Sequence, residues 1–438
     1  MVMKILHYSN GDLGDGASKA SYRLHQALRH AGLSSKMVVL HKLSDDDDVQ
    51  AVWPLPPWQG RALKVKQRIP LFEESLSRWS YPFNYDTTPD VNSAALFSHD
   101  PKDVDVICLH DVARLLDIRS IRRIYDYYRR PMVWFLMDEK PYTGGCQYAW
   151  ECTRYTERCG CCPILPSKRE DDRSRTVWLR KSDHLRGLPI TFVASTSWLE
   201  DRIRQSSLFR EHPIARIALP LDPTVFRPFD QCAARELLHV PHDKKVIFAG
   251  SNYVNEARKG MAYFIEALQR LVPLLNDDDG PVRGEDVFLL LAGHRTKDLA
   301  ESLPFQCAQI GYLKDDITLA LAYQAADIFA CPSIQDAGPM MINEAMLCGA
   351  PVVAFRAGGA PDWITTMQNG YVADYKDSDD LARGIYALLS SDALPAMRLA
   401  AHDVAVRRHS PSLVAAQCVD LFQSLHAQAP WHEGSRQG

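Results

Sequence analysis

The sequence predicts an α/β protein built from two Rossmann-like, doubly wound domains. Short apolar runs alternate with amphipathic stretches of helical period along most of its 438 residues. Buried strands separated by helices are typical of parallel sheets that carry helices on both faces. The first set of runs lies at 5–8, 37–40, 104–109, 132–136 and 191–194, and the second at 246–249, 287–291, 328–330 and 352–355.

The proline-rich segment Leu219–Pro228 separates the two sets of strands and predicts the linker. We therefore predict a first domain over 1–222, a second domain over 223–410 and a closing amphipathic helix over 411–428. With 46% hydrophobic and 24% charged residues the chain is globular, and it is long enough for about two or three cores.

Composition also indicates where the protein is located and which partners it is expected to bind. The net charge of −4 gives no argument for nucleic-acid binding. No apolar run approaches the roughly 20 residues that a transmembrane helix needs. The N-terminus enters a strand directly, without the pattern of a signal peptide. We expect a cytoplasmic protein whose membrane contact, if any, is peripheral.

The segment from Cys331 to Phe355 is the most informative part of the chain. It predicts a strand end, a turn that contains Asp336, and a helix that begins near Pro339 and carries Glu344. The free amides of a helix start bind phosphate, and the two carboxylates can accept hydrogen bonds from sugar hydroxyls. The segment therefore predicts a nucleotide-sugar site, and the alternative is an ordinary strand–turn–helix with solvated acids. The phosphate-binding helix start comprises Gly338, Pro339, Met340 and Met341.

A second candidate phosphate site follows the strand at 246–249. The loop ends in Arg258, Lys259 and Gly260, at the sheet edge where ligands of such folds bind. Two cations there can neutralise a diphosphate leaving group without a metal ion. The acidic run Asp45–Asp48 contains an Asp-x-Asp string, but it lies in a polar loop and we interpret it as solvated. No catalytic metal is expected.

These motifs resemble those of the retaining nucleotide-sugar glycosyltransferases of family 4, of the colanic-acid and exopolysaccharide type. Asp336 stands where the family usually has the first Glu of Glu-x7-Glu. The resemblance implies a GT-B fold, with two Rossmann-like domains facing a central cleft and a C-terminal helix crossing back to the first domain. It also implies that Asp336 faces the donor sugar, Glu344 holds the ribose hydroxyls and Lys259 contacts the diphosphate. An earlier Arg of the family is absent, and Arg258 can substitute for it.

Two loops extend the same resemblance. Gly14, Gly16 and Ala17 match a Gly-Gly-Ala-Ser loop whose amides approach the donor phosphate and the acceptor. A weak strand is predicted at 309–312, and Tyr312 and Leu313 at its end match the loop against which the nucleotide base stacks. Both loops are therefore expected to take part in donor binding.

One strand end departs from the family pattern. This type of enzyme normally has His-Asp after the strand at 132–136, whereas this chain has Met137 and Asp138. The resemblance implies that Asp138 is a candidate catalytic residue. The usual imidazole is absent, because Met137 occupies its position. His110, at another strand end, either reaches the cleft or packs inside its domain.

The loop 143–163 concentrates cysteines. Five of the eleven cysteines fall within it, four of them with the spacing C-x5-C-x6-C-x2-C and Cys161 as an extra. Four thiolates in a short loop suit a structural, tetrahedral zinc ion, and disulfides are rare in cytosolic proteins. Disulfides and unliganded thiols remain the alternatives. The candidate zinc ligands are Cys146, Cys152, Cys159 and Cys162.

Together, the residues and the resemblance predict a transferase that moves a hexose-type sugar from a nucleotide-diphosphate-sugar to a sugar hydroxyl, with retention. The resemblance implies a lipid-linked oligosaccharide acceptor in bacterial surface polysaccharide synthesis. The region Trp53–Phe83 mixes aromatic and cationic side chains, which predicts packing on the first domain or an acceptor-side or membrane-facing role. The rival hypothesis is a catalytically silent GT-B module that binds a nucleotide-sugar or a protein partner.

Overall fold

The computed structural model describes residues 2–52, 93–253, 256–276, 280–294, 296 and 303–428. The chain divides into two compact units, the first formed by Met1–Pro220 together with Pro411–Gly438 and the second by Leu221–Ser410. The aromatic and cationic region 53–83 lies outside the described residues.

The first unit contains a parallel sheet of seven strands in the order β3-β2-β1-β4-β5-β6-β7. The predicted apolar runs form its central strands, because strands buried on both faces read as continuous apolar segments. The two short outer strands β3 and β7 were not predicted, since each offers only three residues of mixed polarity. The strands are β1 (Lys4–Gly11), β2 (Ser34–His41), β3 (Val49–Ala51), β4 (Val106–Leu109), β5 (Met132–Phe135), β6 (Ile190–Ala194) and β7 (Ile214–Arg216).

Side-chain caps fix where the helices of the first unit begin. Asp15, Asp117, Asp172 and Thr196 each accept a hydrogen bond from the backbone amide three positions later. Such a cap satisfies one of the free amides of the first turn. The helices are α1 (Gly16–His30), α2 (Ile118–Tyr128), α3 (Arg173–Leu185) and α4 (Ser197–Gln205).

The second unit contains a parallel sheet of six strands in the order β10-β9-β8-β11-β12-β13. Its strand order reverses between β8 and β11, as the order of the first sheet reverses between β1 and β4. Both units are therefore doubly wound, as the sequence predicts. The strands are β8 (Lys245–Tyr253), β9 (Val287–His294), β10 (Gln306–Gly311), β11 (Ile328–Cys331), β12 (Val352–Phe355) and β13 (Gly370–Ala373).

Helices of the second unit pack their apolar faces on this sheet. Phe264, Ala267, Leu268 and Leu271 form the buried face of α6, at the period of about 3.6 residues that an amphipathic helix requires. The helices are α5 (Gln231–Leu237), α6 (Met261–Leu274), α7 (Asp316–Ala325), α8 (Met340–Leu347), α9 (Ala360–Trp363), α10 (Ser378–Leu389) and α11 (Leu394–His409).

The closing helix α12 (Pro411–Gln428) belongs to the first unit. Val414, Cys418 and Phe422 are buried in one apolar cluster with Leu24 and Leu28 of α1. The predicted return of the C-terminal helix to the first domain is thus confirmed. Among the described helices, α12 included, none is long and apolar enough to cross a bilayer.

Three histidines lie buried in the first unit. His7 and His110 share a hydrogen bond of 2.8 Å between Nδ1 and Nε2, and His25 Nδ1 lies 2.7 Å from Ser35 Oγ. His110 is 1% exposed, so it packs inside the unit, which decides between the two alternatives for this residue. Burial lowers the pKa of His25 to about 4 and that of His110 to about 3. Burial also holds the pKa of His7 well below its usual range.

This cluster predicts a loss of stability in mild acid. The folded pKa of each histidine lies below the unfolded value of about 6.5, so the unfolded state binds more protons as the pH falls. The free energy of unfolding that each histidine contributes is fully present above pH ~6.5. It is lost as the pH falls from there toward the pKa in the folded state. We expect each histidine to cost about 1 kcal/mol between pH 7.5 and 5.5. Hydrogen exchange of the β1 and β4 amides, corrected for the intrinsic rate, measures the change.

His25→Asn should flatten this pH dependence, because the amide can replace Nδ1 at Ser35 without taking up a proton. His30→Gln, at an exposed position of the same helix, is the control and should leave the pH dependence as it is. Equal pH dependence in all three proteins would contradict the assignment to the buried cluster.

Candidate functional site

The strand order of the second unit brings two distant loops together. β8 and β11 are parallel neighbours, with Ile247 opposite Ile328 and Ala249 opposite Ala330. The sheet order reverses between them, and ligands of open α/β sheets bind outside the carboxyl ends of the strands at such a reversal. The segments that follow β8 and β11 are those that the sequence singles out.

Backbone contacts join the two loops. The amides of Ile334 and Gln335 both donate to the carbonyl oxygen of Arg258, at 2.9 and 3.3 Å. Gly260 has a left-handed φ of 67°, and a Cβ at this position would lie 1.8 Å from the carbonyl oxygen of Pro332. Only glycine allows this approach, so Gly260 fixes the position of the cationic loop against the acidic one.

Lys259 and Asp336 meet in this place. Lys259 Nζ donates to Asp336 Oδ2 at 2.6 Å, and Arg258 Nη1 donates to the same oxygen at 3.2 Å. Asp336 is 7% exposed. Burial acts to raise the pKa of Asp336, but the charges of Lys259 and Arg258 outweigh it and hold the pKa below its ordinary value. The site therefore contains an ionised acid and two cations at the sheet edge.

Glu344 lies on α8, the helix that follows Asp336. Pro339 precedes the first turn, in which Met340 and Met341 are partly buried. Glu344 is 6% exposed, and its Oε2 lies 3.5 Å from the Tyr323 hydroxyl. The predicted helix start near Pro339 is confirmed, and it places both carboxylates beside the N-terminal turn.

Two polar side chains near these elements are buried without a hydrogen-bond partner within the described part of the chain. They are Ser251, in the carboxyl-terminal part of β8, and Asn343, next to Glu344 in the chain. A buried polar group without a partner is costly and rare in folded proteins.

The predicted base-contacting loop follows β10 at the same edge of the sheet. β10 ends at Gly311, and the ring of Tyr312 stacks on His294 with the centroids 4.6 Å apart. Leu313 packs against the core of the unit. Tyr312 thus already has one aromatic partner.

In the first unit, the glycine loop leads from β1 into α1. Gly14 has a left-handed φ of 104°, and Gly16 and Ala17 form the first turn of α1. Asp12 is buried, and its carboxylate accepts hydrogen bonds from the amides of Leu43 and Ser44 at 2.8 and 2.9 Å. The loop is therefore tied to the loop after β2, and its expected contact with a donor remains a prediction.

Asp138 follows β5 and is 5% exposed. Lys140 Nζ lies 2.9 Å from Asp138 Oδ2 and 3.8 Å from Asp111 Oδ1. Burial raises the pKa of Asp138 although Lys140 acts to lower it. Met137 packs against the apolar core of the unit. Asp138 is thus a buried, paired acid, and a catalytic role for it remains a prediction.

The four predicted zinc ligands line one cavity of about 20 Å³ in the first unit; they are Cys146, Cys152, Cys159 and Cys162. Cys161 lies differently, because its Sγ is 3.2 Å from Glu170 Oε2. None of the eleven cysteines, which all lie within the described residues, is joined to another in a disulfide. Of the residues that the structure describes, no three His, Cys, Asp or Glu side chains are placed as they would be around a bound metal ion.

A known protein family matches part of the second unit. Residues 243–391 match the family model described as Glycosyl transferases group 1. This match includes β8, the cationic loop, Asp336 and Glu344.

Curated relatives match the chain over less than half of its length. The chain is 30% identical over 190 residues to the phosphatidyl-myo-inositol mannosyltransferase of Mycobacterium tuberculosis, an alignment of 42% of this chain and 47% of that protein. It is 32% identical over 170 residues to the D-inositol 3-phosphate glycosyltransferase of Saccharomonospora viridis, over 36% and 37% of the two chains. The chain thus spans less than half the length of these relatives.

Solved structures share the whole fold at low identity. Sucrose-phosphate synthase from Thermosynechococcus elongatus has a TM-score of 0.69 at 17% identity, over 97% of this chain and 99% of that one. HepE of Anabaena, in complex with UDP and glucose, has a TM-score of 0.63 at 17% identity, over 96% and 100%. WaaG, a glycosyltransferase of lipopolysaccharide biosynthesis, has 0.62 at 14%, over 95% and 99%. The two Rossmann-like units are those of the GT-B fold.

Sequence reasoning did not find the partners of the predicted residues. Glu256 binds the guanidinium of Arg258, Tyr323 approaches Glu344 and Lys140 pairs with Asp138. Tyr323 carries no local signal of its contact, because packing between separate elements creates it. Lys140 did carry a weak signal, since it follows a strand end that already holds an acid.

Gly260→Ala should destabilise the second unit. A left-handed backbone costs about 1–3 kcal/mol for a residue with a side chain, and displacement of the Pro332 loop adds roughly 1–3 kcal/mol. We expect a loss of at least about 2 kcal/mol in the free energy of unfolding, measured by chemical denaturation.

Gly284→Ala is the matched control in the same unit, because a Cβ there would have no atom within 4 Å. Its effect should stay within about 0.5 kcal/mol. If both variants lose the same stability, the joint between the two loops does not depend on Gly260.

Proposed function

We propose that this protein is a glycosyltransferase that moves a sugar from a nucleoside-diphosphate donor to a hydroxyl of a sugar acceptor, with retention of configuration. The observation that carries the proposal is the contact of Lys259 and Arg258 with Asp336 beside the helix of Glu344. This cluster lies at the strand-order reversal of the unit that contains the matched segment 243–391.

The diphosphate of the donor binds to the two cations and to the free amides at the start of α8. A helix start favours an anion through its amides and its dipole. Because Lys259 and Arg258 already hold Asp336, the diphosphate competes with this carboxylate for them. Donor binding then frees Asp336 to accept hydrogen bonds from the donor sugar, and Glu344 accepts those of the ribose hydroxyls.

The transfer breaks the bond between the anomeric carbon and the phosphate oxygen and forms a bond to the acceptor oxygen on the same face. The acceptor proton passes to an oxygen of the departing phosphate, so no protein nucleophile is required. Lys259 and Arg258 stabilise the negative charge that develops on the leaving group, which is the kind of electrostatic contribution that dominates many enzymes. Tyr312 and Leu313 are proposed to contact the base, and Gly14, Gly16, Ala17 and Asp138 to serve the reaction from the first unit.

The names of the relatives support a proposal for the classes of donor and acceptor. Curated relatives are named for transfer to phosphatidyl-myo-inositol and to D-inositol 3-phosphate, and one structural neighbour is in complex with UDP-glucose. We propose a hexose donor and a lipid-linked glycan acceptor of surface polysaccharide synthesis. Such an acceptor places the enzyme on the cytoplasmic face of the membrane through peripheral contact.

A binding module without catalysis is the second candidate, and Met137 in place of the usual His favours it. One experiment distinguishes an enzyme from a binding module. The protein is first screened by thermal shift against sugar donors of UDP, GDP and ADP, and the best binder is then incubated without acceptor. Slow release of nucleoside diphosphate that disappears in Lys259→Met supports the enzyme, whereas binding without any release supports the module.

Glu344→Gln should weaken donor binding about tenfold or more, because a carboxylate–hydroxyl hydrogen bond contributes roughly 1.5–3 kcal/mol. Isothermal titration with the donor that the screen identifies measures the affinity. Glu236→Gln removes the same charge at an exposed position of the same unit and should leave affinity unchanged. An unaltered affinity in folded Glu344→Gln would remove this residue from the site.

Activity should survive EDTA during a brief assay. Lys259, Arg258 and the helix amides supply the positive potential that a divalent cation supplies in metal-dependent transferases. The rate of diphosphate release is compared with and without the chelator. Immediate loss of turnover that manganese or magnesium restores would contradict the proposed electrostatic role of the two cations.

A further inference from the structure

The cysteine cavity of the first unit has no part in the proposed transfer. Four cysteines line this one cavity, namely Cys146, Cys152, Cys159 and Cys162. They therefore lie around a single space rather than in two separate places. A cavity of about 20 Å³ between them is the size of a single small ion or water.

Gly144 packs against one side of the cavity. A Cβ at this position would lie 2.8 Å from the sulfur of Cys159, so only glycine allows this approach. The amide of Leu165 donates to the carbonyl oxygen of Cys162 at 3.2 Å, and the hydroxyl of Thr143 donates to that of Cys146 at 3.0 Å. These hydrogen bonds position the backbone of the cysteine loop.

Positive charge lies next to the cluster. Lys181 is fully buried on α3, and its Nζ donates to the carbonyl oxygens of Lys140 and Thr143. Arg154 also lines the cavity. Arg154 is half exposed and lies 3.9 Å from Glu170, whereas Lys181 is a buried cation beside the cysteine loop.

As the described side chains stand, no three are placed as they would be around a metal ion. Binding would therefore require the four sulfurs to move closer together. Cysteine binds zinc as the thiolate, so binding would also release protons.

We propose that Cys146, Cys152, Cys159 and Cys162 bind one zinc ion in this cavity. Binding releases the four thiol protons and draws the sulfurs into a tetrahedron, the geometry that zinc prefers with four cysteines. A closed site of this kind leaves no open position for chemistry, so the role is structural. Cys159 and Cys162 have the C-x2-C spacing of many such sites, and Gly160 between them has a left-handed φ of 96°.

The metal ion would hold the strand end that carries Asp138. Lys181 ties the cysteine loop to the backbone at Lys140 and Thr143, and Lys140 pairs with Asp138. Four zinc–sulfur bonds would thus fix a long irregular segment between β5 and α3. The geometry of the acid at the edge of the first sheet depends on this segment.

Elemental analysis of wild type, Cys159→Ser and Cys161→Ser tests the proposal. Each is purified under reducing conditions and passed over a chelating resin. We expect close to one zinc per chain in wild type and in Cys161→Ser, whose thiol faces Glu170 instead of the cavity, and close to none in Cys159→Ser. Equal zinc in all three proteins would mean adventitious binding and would overturn the proposal.

Cobalt substitution supplies a readout that needs no variant. Wild type produced with cobalt should show the thiolate-to-cobalt absorption of a tetrahedral site, and added zinc should remove it. Metal-free wild type with every cysteine reactive toward a thiol reagent would overturn the proposal. So would mass spectrometry that shows disulfides among the four cysteines.

Discussion

The parallel pairing of β8 with β11 is the constraint on which the candidate site depends. Lys259 and Asp336 are 77 positions apart in the chain, and only this pairing brings the loops after the two strands to one edge. The paired parts of the two strands, residues 247–249 and 328–330, are buried, so their register follows from packing on both faces. Once the register is fixed, Gly260 allows the last close approach between the loops.

The charges of the site balance one another before any ligand arrives. Arg258 forms ion pairs with Asp336 and Glu256, and Lys259 also forms an ion pair with Asp336. Such pairing keeps two partly buried cations from facing an apolar surface unpaired, which would be costly. In the proposed function, a diphosphate would therefore gain only the difference between its own attraction to the cations and that of the carboxylates.

Hydrophobic patterning predicted the fold class, because strands such as β8 and β12 are buried on both faces and read as apolar runs. It missed β3, β7 and β13, which are short and lie at or near the sheet edges. For the site, the resemblance implied that residues after β8 and β11 contact the same donor. It could not predict Tyr323 beside Glu344 or Lys181 beside the cysteines, because these contacts arise from packing between elements that carry no signal in the local sequence.

The place of α12 has a consequence for how the protein is made. The first unit is discontinuous in the chain, since Val414, Cys418 and Phe422 complete the apolar surface of α1. During synthesis this surface stays uncovered until the whole second unit has left the ribosome. The second unit, by contrast, is one uninterrupted segment, Leu221–Ser410. It can reach its native contacts earlier, and a chain cut before α12 would leave the first unit, not the second, with an exposed apolar face.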